Sequence, residues 1–355
     1  MAKARVIGLD IGTTHVRAVE VQHGSSGPSR TDQPTVVRYA ERPLPSGAVR
    51  DGEVVEPAVV STAIKQMWRD TKFSTKEVVI GVGNQRVLVR ELDLPAMPLD
   101  QLRATLPYQV QEFLPIAVDD AHLDYVPTGM VESPHGPMVQ GLLVAATKDT
   151  VAANLRAVEA AGLRATMVDL TALALTRSLA RGPLADQTLA VVDLGARIST
   201  VVIVERGMPK FVRVLPTGGH DMNDAIASAM GMSEDDAERL KFQVGIGITV
   251  PDEYRPAADA IAQVGHVLVE AVRNTLSYYA MNTPGGSLST VMLTGRGAQL
   301  PGLGQYIATA ARVGVSLAAP LSTVKLGSEM PRGADLDALQ FVASVPLGLA
   351  FGVAS

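Results

Sequence analysis

The sequence predicts an α/β protein built from two similar halves, and three observations lead to this fold class. An apolar run, then Asp, one residue and Gly, then small or hydroxylated residues and a second apolar run, occurs at residues 6–21 and again at 189–207. The apolar runs are rich in β-branched residues, so each copy predicts two strands joined by a tight turn. A third segment, 291–303, predicts a strand that ends in Thr-Gly-Arg-Gly. Two copies of one pattern favour a duplicated fold over a chance hairpin.

The remaining segments of the first half predict further strands and helices in chain order. Residues 35–44 predict a strand, and 57–71 predict a helix with Pro57 in its first turn and apolar residues on one face. Residues 78–94 predict strands separated by a glycine break. Residues 85–163 have their own order of strand, helix, two strands and helix, which predicts a small α+β subdomain inserted into this half.

The second half alternates strands and helices in a similar way. Residues 165–181 predict a strand that runs into a helix, 211–217 a strand, and 218–230 a helix opened by two glycines. Ser233 suits the N-cap of a further helix, and 256–283 predict a long one. We therefore expect a first subdomain at 1–84, 164–186 and 345–355, the inserted subdomain at 85–163, and a second half divided into 187–230 with 285–344, and 231–284.

Composition limits the possible classes of protein. The 355 residues are 47% hydrophobic, enough for more than one core, and the net charge of -5 without a basic block argues against nucleic acid as a partner. The absence of cysteine excludes disulfides and Cys-ligated metal sites. The apolar stretches are too short to cross a bilayer and no secretory signal is visible. We expect a soluble cytoplasmic protein that reaches a membrane only through a partner.

The two Asp-x-Gly turns predict a nucleotide site. Glycine lets the backbone approach a ligand and expose its N–H groups, and the neighbouring hydroxyls add donors. Asp10 and Asp193 end the first strand of each copy and can hold a hydrated Mg²⁺. Gly218 and Gly219 open a helix, which is a natural anion site. Two such turns facing each other would bind a nucleotide triphosphate from both sides.

The order of these motifs resembles the actin, sugar-kinase and DnaK-type chaperone superfamily. Nearly the whole chain resembles one family within it, the type IV pilus assembly protein PilM family, which is related to the cell-division protein FtsA. The segments that carry this resemblance are RELDLPAMP (90–98), EFLPIAVDDAHLDY (112–125), LVAATKDTVAANLRAVEAAGL (143–163), LPTGGHDMNDAIASAMGMSEDDAERLK (215–241) and TGRGAQLPGL (294–303). The resemblance implies an actin-like bilobed fold of duplicated ribonuclease-H-like domains with an inserted subdomain of the FtsA and PilM type.

The resemblance also implies the ligands, ATP and Mg²⁺, and the residues that contact them. Asp10 and Asp193 would face the metal ion. The residues that would contact the nucleotide are Gly12, Thr13, Thr14, His15, Arg17, Gly195, Ser199, Gly218, Gly219, Glu238, Lys241, Gly295, Arg296 and Gly297. Arg17 stands where the family commonly has Lys, and Arg296 replaces a frequent Gly.

Whether such a protein hydrolyses ATP is left open by the residues. Superfamily ATPases often carry Glu or Gln at the start of the helix after the last strand of the first half, where this chain has Thr171. Thr cannot act as a carboxylate base, and the nearest carboxylate in sequence is Asp169. We expect slow or absent hydrolysis, with Asp169 as the candidate catalytic residue.

The partner implied by the resemblance is the cytoplasmic N-terminal tail of the inner-membrane protein PilN. Pilus assembly ATPases and further copies of the chain are additional candidates. A groove beside the inserted subdomain could take an extended tail. The candidate anchors, each of which could equally belong to the core of that subdomain, are Leu94, Met97, Phe113, Leu114 and Tyr125. The alternatives are an FtsA-like cytoskeletal or division ATPase and a sugar-kinase-type phosphotransferase.

Overall fold

A computed structural model describes residues 4–24, 33–134, 136–283 and 285–352, which form two lobes around a cleft. The expected subdomain ends at 1–3, 284 and 353–355 lie outside these residues. The first part contains β1 (Arg5–Ile11), β2 (His15–Gln22), β3 (Thr35–Pro43), β4 (Val49–Arg50), β5 (Glu53–Val54), α1 (Pro57–Thr71), β6 (Glu77–Val82), β7 (Val87–Pro95), α2 (Leu99–Val110), β8 (Ala121–Ser133), β9 (Gly136–Thr147), α3 (Lys148–Ala160), β10 (Arg164–Leu170) and α4 (Thr171–Leu179). The second part contains β11 (Thr188–Leu194), β12 (Ser199–Glu205), β13 (Met208–Leu215), α5 (Gly219–Met230), α6 (Glu234–Val244), α7 (Arg255–Asn282), β14 (Thr290–Thr294), α8 (Leu303–Ala311), β15 (Val315–Leu317), β16 (Lys325–Leu326), α9 (Ala334–Leu339) and α10 (Ser344–Ala350).

The first lobe is built on a six-stranded sheet in the order β10-β6-β1-β2-β3-β16. β1, β2 and β3 form an antiparallel meander, and β6 and β10 run parallel to β1. Helices cover both faces of this sheet, α1 and α3 on one and α4 and α10 on the other, and the central strands β1 and β6 are accordingly almost entirely apolar. Glycines bring α10 unusually close: a Cβ on Gly8 would lie 2.0 Å from the Pro346 carbonyl oxygen, and one on Gly348 would lie 1.9 Å from that of Ala174.

The second lobe repeats this topology. Its sheet has the order β13-β12-β11-β14-β15, with an antiparallel meander of β11, β12 and β13 and with β14 and β15 parallel to β11. Helices α5, α6, α7 and α8 contribute most of the buried apolar side chains that pack beside it. Since both sheets place the Asp-x-Gly turn between the first two strands of the meander, the predicted α/β fold with duplicated halves is confirmed.

The insertion forms a separate antiparallel sheet in the order β7-β9-β8, with α2 packed against it. Leu102, Leu106 and Val110 recur at four-residue spacing on one face of α2 and are buried against this sheet. The last helix expected in this subdomain, α3, packs differently: Ala157 and Val158 are buried with α1 in the first-lobe core. The separately packed insertion therefore ends at the C-terminus of β9.

Part of the segment expected in the second half lies against the first lobe. β16 pairs with β3, and Leu321, Met330 and Leu339 are buried with Val19 and Val21 of β2. The sequence gives no sign of this contact because it joins residues about 300 positions apart. Among the described residues, no helix combines the length and the apolar composition needed to span a bilayer.

Candidate functional site

The two lobes enclose a cleft of about 770 Å³ at the ends of strands β1 and β11. A cleft of this volume between two domains is a common place for a small-molecule ligand. It brings together residues that lie far apart in sequence. The residues predicted from the sequence that line it are Asp10, Gly12, Thr13, Thr14, His15, Arg17, Asp193, Gly195, Gly219, Glu238, Lys241, Gly295, Arg296 and Gly297.

Two carboxylates, Asp10 and Asp193, face each other from equivalent strand ends of the two sheets. Desolvation in the cleft raises the pKa of Asp193 to about 7, and the nearby charge of Asp10 adds to this effect. Desolvation also raises the pKa of Asp10, against the opposing charge of Arg17. Arg17 is the cation whose charge lowers the pKa of both carboxylates, and the desolvation that outweighs it is a cost that a divalent cation placed between the two carboxylates would offset.

The two turns have the same backbone geometry. In the first, the Gly12 N–H donates to the His15 carbonyl at 3.0 Å, and in the second the Gly195 N–H donates to the Ile198 carbonyl at 3.1 Å. Residues 13 and 14 of the first turn line the cleft, as does Ala196 of the second. These turns are therefore the matched pair that the duplicated sequence pattern predicts.

His15 brings little positive charge to the first turn. Desolvation and the charge of Arg17 lower the pKa of His15 to about 4, so the ring is neutral at physiological pH. Its Nδ1 lies 3.1 Å from the Thr14 hydroxyl oxygen. Arg17 is therefore the charged group that this hairpin offers to an anion.

Two residues expected at the phosphates have structural contacts instead. The Ser199 hydroxyl is fully buried and donates to the Thr217 carbonyl at 2.7 Å, joining β12 to the segment before α5. The Gly218 N–H donates to the Asp221 carboxylate at 2.6 Å. Neither residue lines the cleft, so neither position fits the predicted contact with a nucleotide.

The start of α5 is also closed as an anion site. The N–H groups of Gly219 and His220 donate to the carbonyls of Gly195 and Ala196, at 2.9 and 2.7 Å. An anion site at a helix N-terminus needs these donors free. The paired glycines instead let α5 lie against the second turn, since a Cβ on Gly218 would be 2.4 Å from the Ala196 carbonyl oxygen.

The other wall of the cleft is formed by α6 and the glycine-rich end of β14. Lys241 is buried and its Nζ donates to the Gly219 carbonyl at 3.0 Å. Desolvation lowers the pKa of Lys241 to about 8, although Glu238 opposes this shift. Gly295 has φ of +82°, and a Cβ there would lie 2.5 Å from Asp193 Oδ1. Only glycine lets this strand end pass so close to the carboxylate.

Asp169 does not reach the cleft. Its carboxylate is buried, forms an ion pair with Arg177 and accepts from the Leu170 N–H at 2.8 Å. Thr171, by contrast, lines the cleft. The candidate catalytic role of Asp169 does not fit its position, because the carboxylate is buried in an ion pair with Arg177 and does not line the cleft. Among the described lining residues, the first lobe supplies one carboxylate, Asp10.

Sequence reasoning missed several lining residues. Arg239 and Phe242 are neighbours of the predicted pair on α6, and the Lys241 Nζ lies 4.9 Å from the centroid of the Phe242 ring. Asn154 reaches the cleft from α3 and Gln299 follows the predicted glycines. The sequence signal for the first two was their adjacency to Glu238 and Lys241 on one short helix.

The candidate partner residues divide into core and surface positions. Leu94 and Tyr125 are core residues of the inserted subdomain, and Met97 and Leu114 pack partly buried against them. Phe113 is 39% exposed, with the Arg90 guanidinium 5.7 Å from its ring centroid. Tyr108, which sequence reasoning missed, is 85% exposed. The spacing of Leu102, Leu106 and Val110 would have placed it on the solvent side of α2.

Comparisons with known families and sequences agree on one relationship. Residues 8–353 match the family model described as type IV pilus assembly protein PilM. The cell division protein FtsA of Bacillus subtilis is 20% identical over 263 residues, which cover 67% of this chain and 58% of that protein. FtsA of Streptococcus pneumoniae is 25% identical over 296 residues, covering 76% and 62%. The chain thus spans about three fifths of the length of these relatives.

Comparison with solved structures gives the same fold. A structure described as a PilM-PilN type IV pilus biogenesis complex has a TM-score of 0.84 and 27% identity, and the match covers 98% of both chains. The ethanolamine utilization protein EutJ of Carboxydothermus hydrogenoformans has a TM-score of 0.56 and 16% identity, covering 99% of this chain and 90% of that one. MreB 5 of Spiroplasma citri bound to AMPPNP has a TM-score of 0.53 and 12% identity, covering 91% and 94%. The last two support the actin-like fold alone.

Proposed function

This chain belongs to the type IV pilus assembly protein PilM family, and we propose that it is an ATP-binding scaffold that binds the N-terminal tail of a PilN protein. The observation that carries the proposal is the match to the PilM-PilN complex structure, which includes the inserted subdomain because it covers 98% of both chains. The tail of an inner-membrane PilN would hold the scaffold at the cytoplasmic face of that membrane.

The cleft suits a nucleotide with Mg²⁺. Mg²⁺ in such sites is held by one or two carboxylates together with phosphate oxygens and water, and Asp10 and Asp193 provide two desolvated carboxylates. Within the described residues there is no cluster of three or more His, Cys, Asp or Glu side chains that could hold a metal ion, which fits an ion shared with a ligand. Asp10 and Asp193 would face the metal ion, the turns at 12–15 and 195–198 the phosphates, and Gly295 and Gly297 the base.

We propose that binding, more than hydrolysis, is the role of this nucleotide. A bound Mg²⁺ would neutralise phosphate charge, but among the described lining residues the first lobe offers no carboxylate to activate water other than Asp10, the proposed metal ligand. Steady-state phosphate release should therefore stay below about one per minute for each protein molecule. Faster release that persists in a highly purified sample and is lost in Asp10→Asn would contradict this.

The nucleotide proposal is tested by calorimetric titration of protein stripped of nucleotide. We expect binding of ATP with Mg²⁺ and a weaker response when EDTA replaces the ion, because the two carboxylates then repel the phosphates. Asp193→Asn should reduce the dependence of the ATP affinity on Mg²⁺. Absence of any binding to the wild-type protein would leave a passive adaptor in which the two turns are structural.

The PilN proposal is tested with a synthetic PilN tail peptide. Short extended peptides dock by burying a few apolar anchors, and Phe113 is a partly exposed candidate next to a cation. Phe113→Ala should weaken peptide binding by about tenfold without lowering the thermal stability. Tyr278→Ala, which removes a comparably exposed aromatic side chain from α7 in the other lobe, should leave it unchanged. Equal effects of the two variants would rule out this placement of the partner site.

An FtsA-like cytoskeletal role is the second candidate, favoured by the two FtsA relatives. It predicts filaments that sediment in the presence of ATP and disappear in EDTA. The scaffold proposal predicts that the chain stays in the supernatant and binds the peptide.

A further inference from the structure

A row of alternating charges crosses the first-lobe sheet at the cleft. Asp10 on β1 is directly opposite Arg17 on β2, and Arg17 is directly opposite Glu41 on β3. Residues that face each other across antiparallel strands point to the same side of the sheet, so the three side chains lie side by side. Arg17 therefore sits between a carboxylate inside the cleft and one at its edge.

Glu41 holds one side of the Arg17 guanidinium. The Arg17 Nε donates to Glu41 Oε2 at 3.1 Å, and the Arg17 side chain is only 11% exposed. The same carboxylate oxygen accepts from the Tyr39 hydroxyl at 2.9 Å. Desolvation would raise the pKa of Glu41, but the Arg17 charge and the Tyr39 hydroxyl outweigh it and lower the pKa, so Glu41 is ionised.

The other side of the guanidinium borders the first turn. Arg17 Nη1 lies 3.6 Å from the position that a Cβ would take on Gly12. A guanidinium is a planar fork, so a partner on Nε fixes the direction in which its terminal nitrogens point. A lysine at this position would have no such second attachment point.

The second lobe has no equivalent row. Its corresponding positions are Asp193, Thr200 and Val214, which are opposite one another on β11, β12 and β13. Thr200 and Val214 carry no charge, so this row gives the second lobe no counterpart of Arg17, the cation whose charge acts on both cleft carboxylates. The orientation of Arg17 therefore matters more than it would in a symmetric cleft.

We propose that Glu41, which accepts a hydrogen bond from Tyr39, is a positioning residue that orients the Arg17 guanidinium toward the phosphates of a nucleotide in the cleft. This inference rests on the proposed nucleotide binding and adds a residue and a role to it. Glu41 itself would not touch the ligand. Its effect should therefore depend on the presence of phosphates and on the presence of Arg at position 17.

The test is a set of binding isotherms with ATP and with adenosine, in Mg²⁺, for the full chain. Glu41→Gln should weaken ATP binding by about tenfold, because the charge-assisted contact that orients Arg17 is lost. Adenosine has no phosphate for Arg17 to contact. The affinity of Glu41→Gln for adenosine should therefore stay within about twofold of the wild-type affinity. Tyr39→Phe should also weaken ATP binding, but by less than Glu41→Gln does.

Two further variants separate positioning from general damage. In an Arg17→Lys background, Glu41→Gln should change ATP affinity by less than about twofold, since Lys has no Nε to hold. Glu77→Gln removes a different Glu–Arg pair, with Arg164, at the opposite end of the same sheet and should leave ATP binding unchanged.

The outcomes distinguish this inference from the proposed function. If wild type binds ATP and Glu41→Gln binds it equally well, Glu41 has no positioning role. Equal losses for ATP and adenosine, or an undiminished effect in the Arg17→Lys background, would also overturn the inference and indicate a structural role. If wild type binds neither ligand, the nucleotide proposal fails and this inference fails with it.

Discussion

Asp10 and Asp193 end equivalent strands of the two sheets, and Arg17 is a cation that acts on both. The fold therefore holds two carboxylates in a desolvated cleft with incomplete neutralisation, an arrangement that costs stability in the ligand-free protein. Such a cost is expected where a ligand later supplies the missing charge. The pH dependence of stability measures this cost directly.

Asp193→Asn should stabilise the ligand-free protein at pH 8 and have little effect at pH 4. The pKa of Asp193 is raised in the folded protein from 3.8 to about 7, so its proton is bound more tightly when folded. Deprotonation of Asp193 therefore lowers the stability of wild type as pH rises from about 4 to about 7, and the variant lacks this contribution. The gain at pH 8 should be about 2–4 kcal/mol.

This difference is measured by urea unfolding in EDTA across the pH range. Asp259→Asn, a substitution at an exposed site on α7, is the control. If the free energy of unfolding depends on pH in the same way for wild type and Asp193→Asn, the folded protein does not raise the pKa of Asp193.

Gly295→Ala should destabilise the protein by about 3 kcal/mol or more, from two separate causes. Its φ of +82° disfavours any side chain, and a Cβ would lie 2.4 Å from the Leu194 carbonyl oxygen. Gly231→Ala shares the first cause only: its φ is +64° with no atom within 4 Å of a Cβ. It should cost about 1 kcal/mol. Similar unfolding midpoints for the two variants would show that the β14 end has room to move.

At the scale of elements, one buried side chain contacts all three strands of the inserted sheet. Tyr125 on β8 has its hydroxyl oxygen 2.7 Å from the carbonyl oxygens of Leu92 and Val139. Its ring fills the space beside Gly141, where a Cβ would come within 2.4 Å of Tyr125 Cζ. This packing joins β8 to the adjacent β9 and, across it, to β7, and it explains why Tyr125 is core and not a partner anchor.

Tyr125→Phe should lower the stability of the inserted subdomain by about 1–3 kcal/mol, because the hydroxyl contact to buried carbonyls is lost. PilN tail affinity, measured at a temperature where the variant is folded, should stay the same. Tyr108→Phe removes a hydroxyl from an 85% exposed ring on α2 and should leave stability unchanged. A loss of peptide affinity in Tyr125→Phe without a loss of stability would indicate instead that Tyr125 contacts the PilN tail.

The elements themselves could be predicted because their signals are local. Helix α1 has the predicted bounds 57–71, and the two Asp-x-Gly hairpins form as expected. The misplaced roles depend on contacts that sequence does not reveal. The Asp169 carboxylate forms an ion pair with Arg177 on the following helix, α4, and the Gly218 N–H donates to the Asp221 carboxylate. Which donors remain free is a property of the folded chain.

At the scale of the whole molecule, the β4–β5 hairpin lies between the cleft and the insertion. A Cβ on Gly52, at its tip, would be 2.9 Å from Ile198 Cδ1 of the second turn, so the hairpin touches the opposite lobe. Glu53 Oε1 accepts from the Thr150 hydroxyl at 2.8 Å and pairs with Arg86 Nε at 3.2 Å. Arg86 precedes β7 and Thr150 follows β9, so the hairpin contacts both connections of the inserted subdomain.

This arrangement predicts that nucleotide and PilN tail binding are coupled through Glu53. Movement of the second turn against Gly52 would be passed to both connections of the insertion, because one carboxylate contacts them together. We expect the peptide affinity of wild type to change by at least about fivefold between the ATP-bound and nucleotide-free states. Glu53→Gln should bring this ratio to within about twofold while each ligand still binds, because loss of the charged contact uncouples the sites.

The matched control is Glu56→Gln, an exposed residue three positions along the same segment, which should keep the wild-type ratio. Equal ratios in Glu53→Gln and wild type would mean that coupling, where present, runs through another contact between the lobes, such as that of Lys210 with Thr128. A wild-type ratio of one would mean that the two sites are independent and that the hairpin only closes the side of the cleft. The measurement therefore decides whether the nucleotide regulates the scaffold or only stabilises its fold.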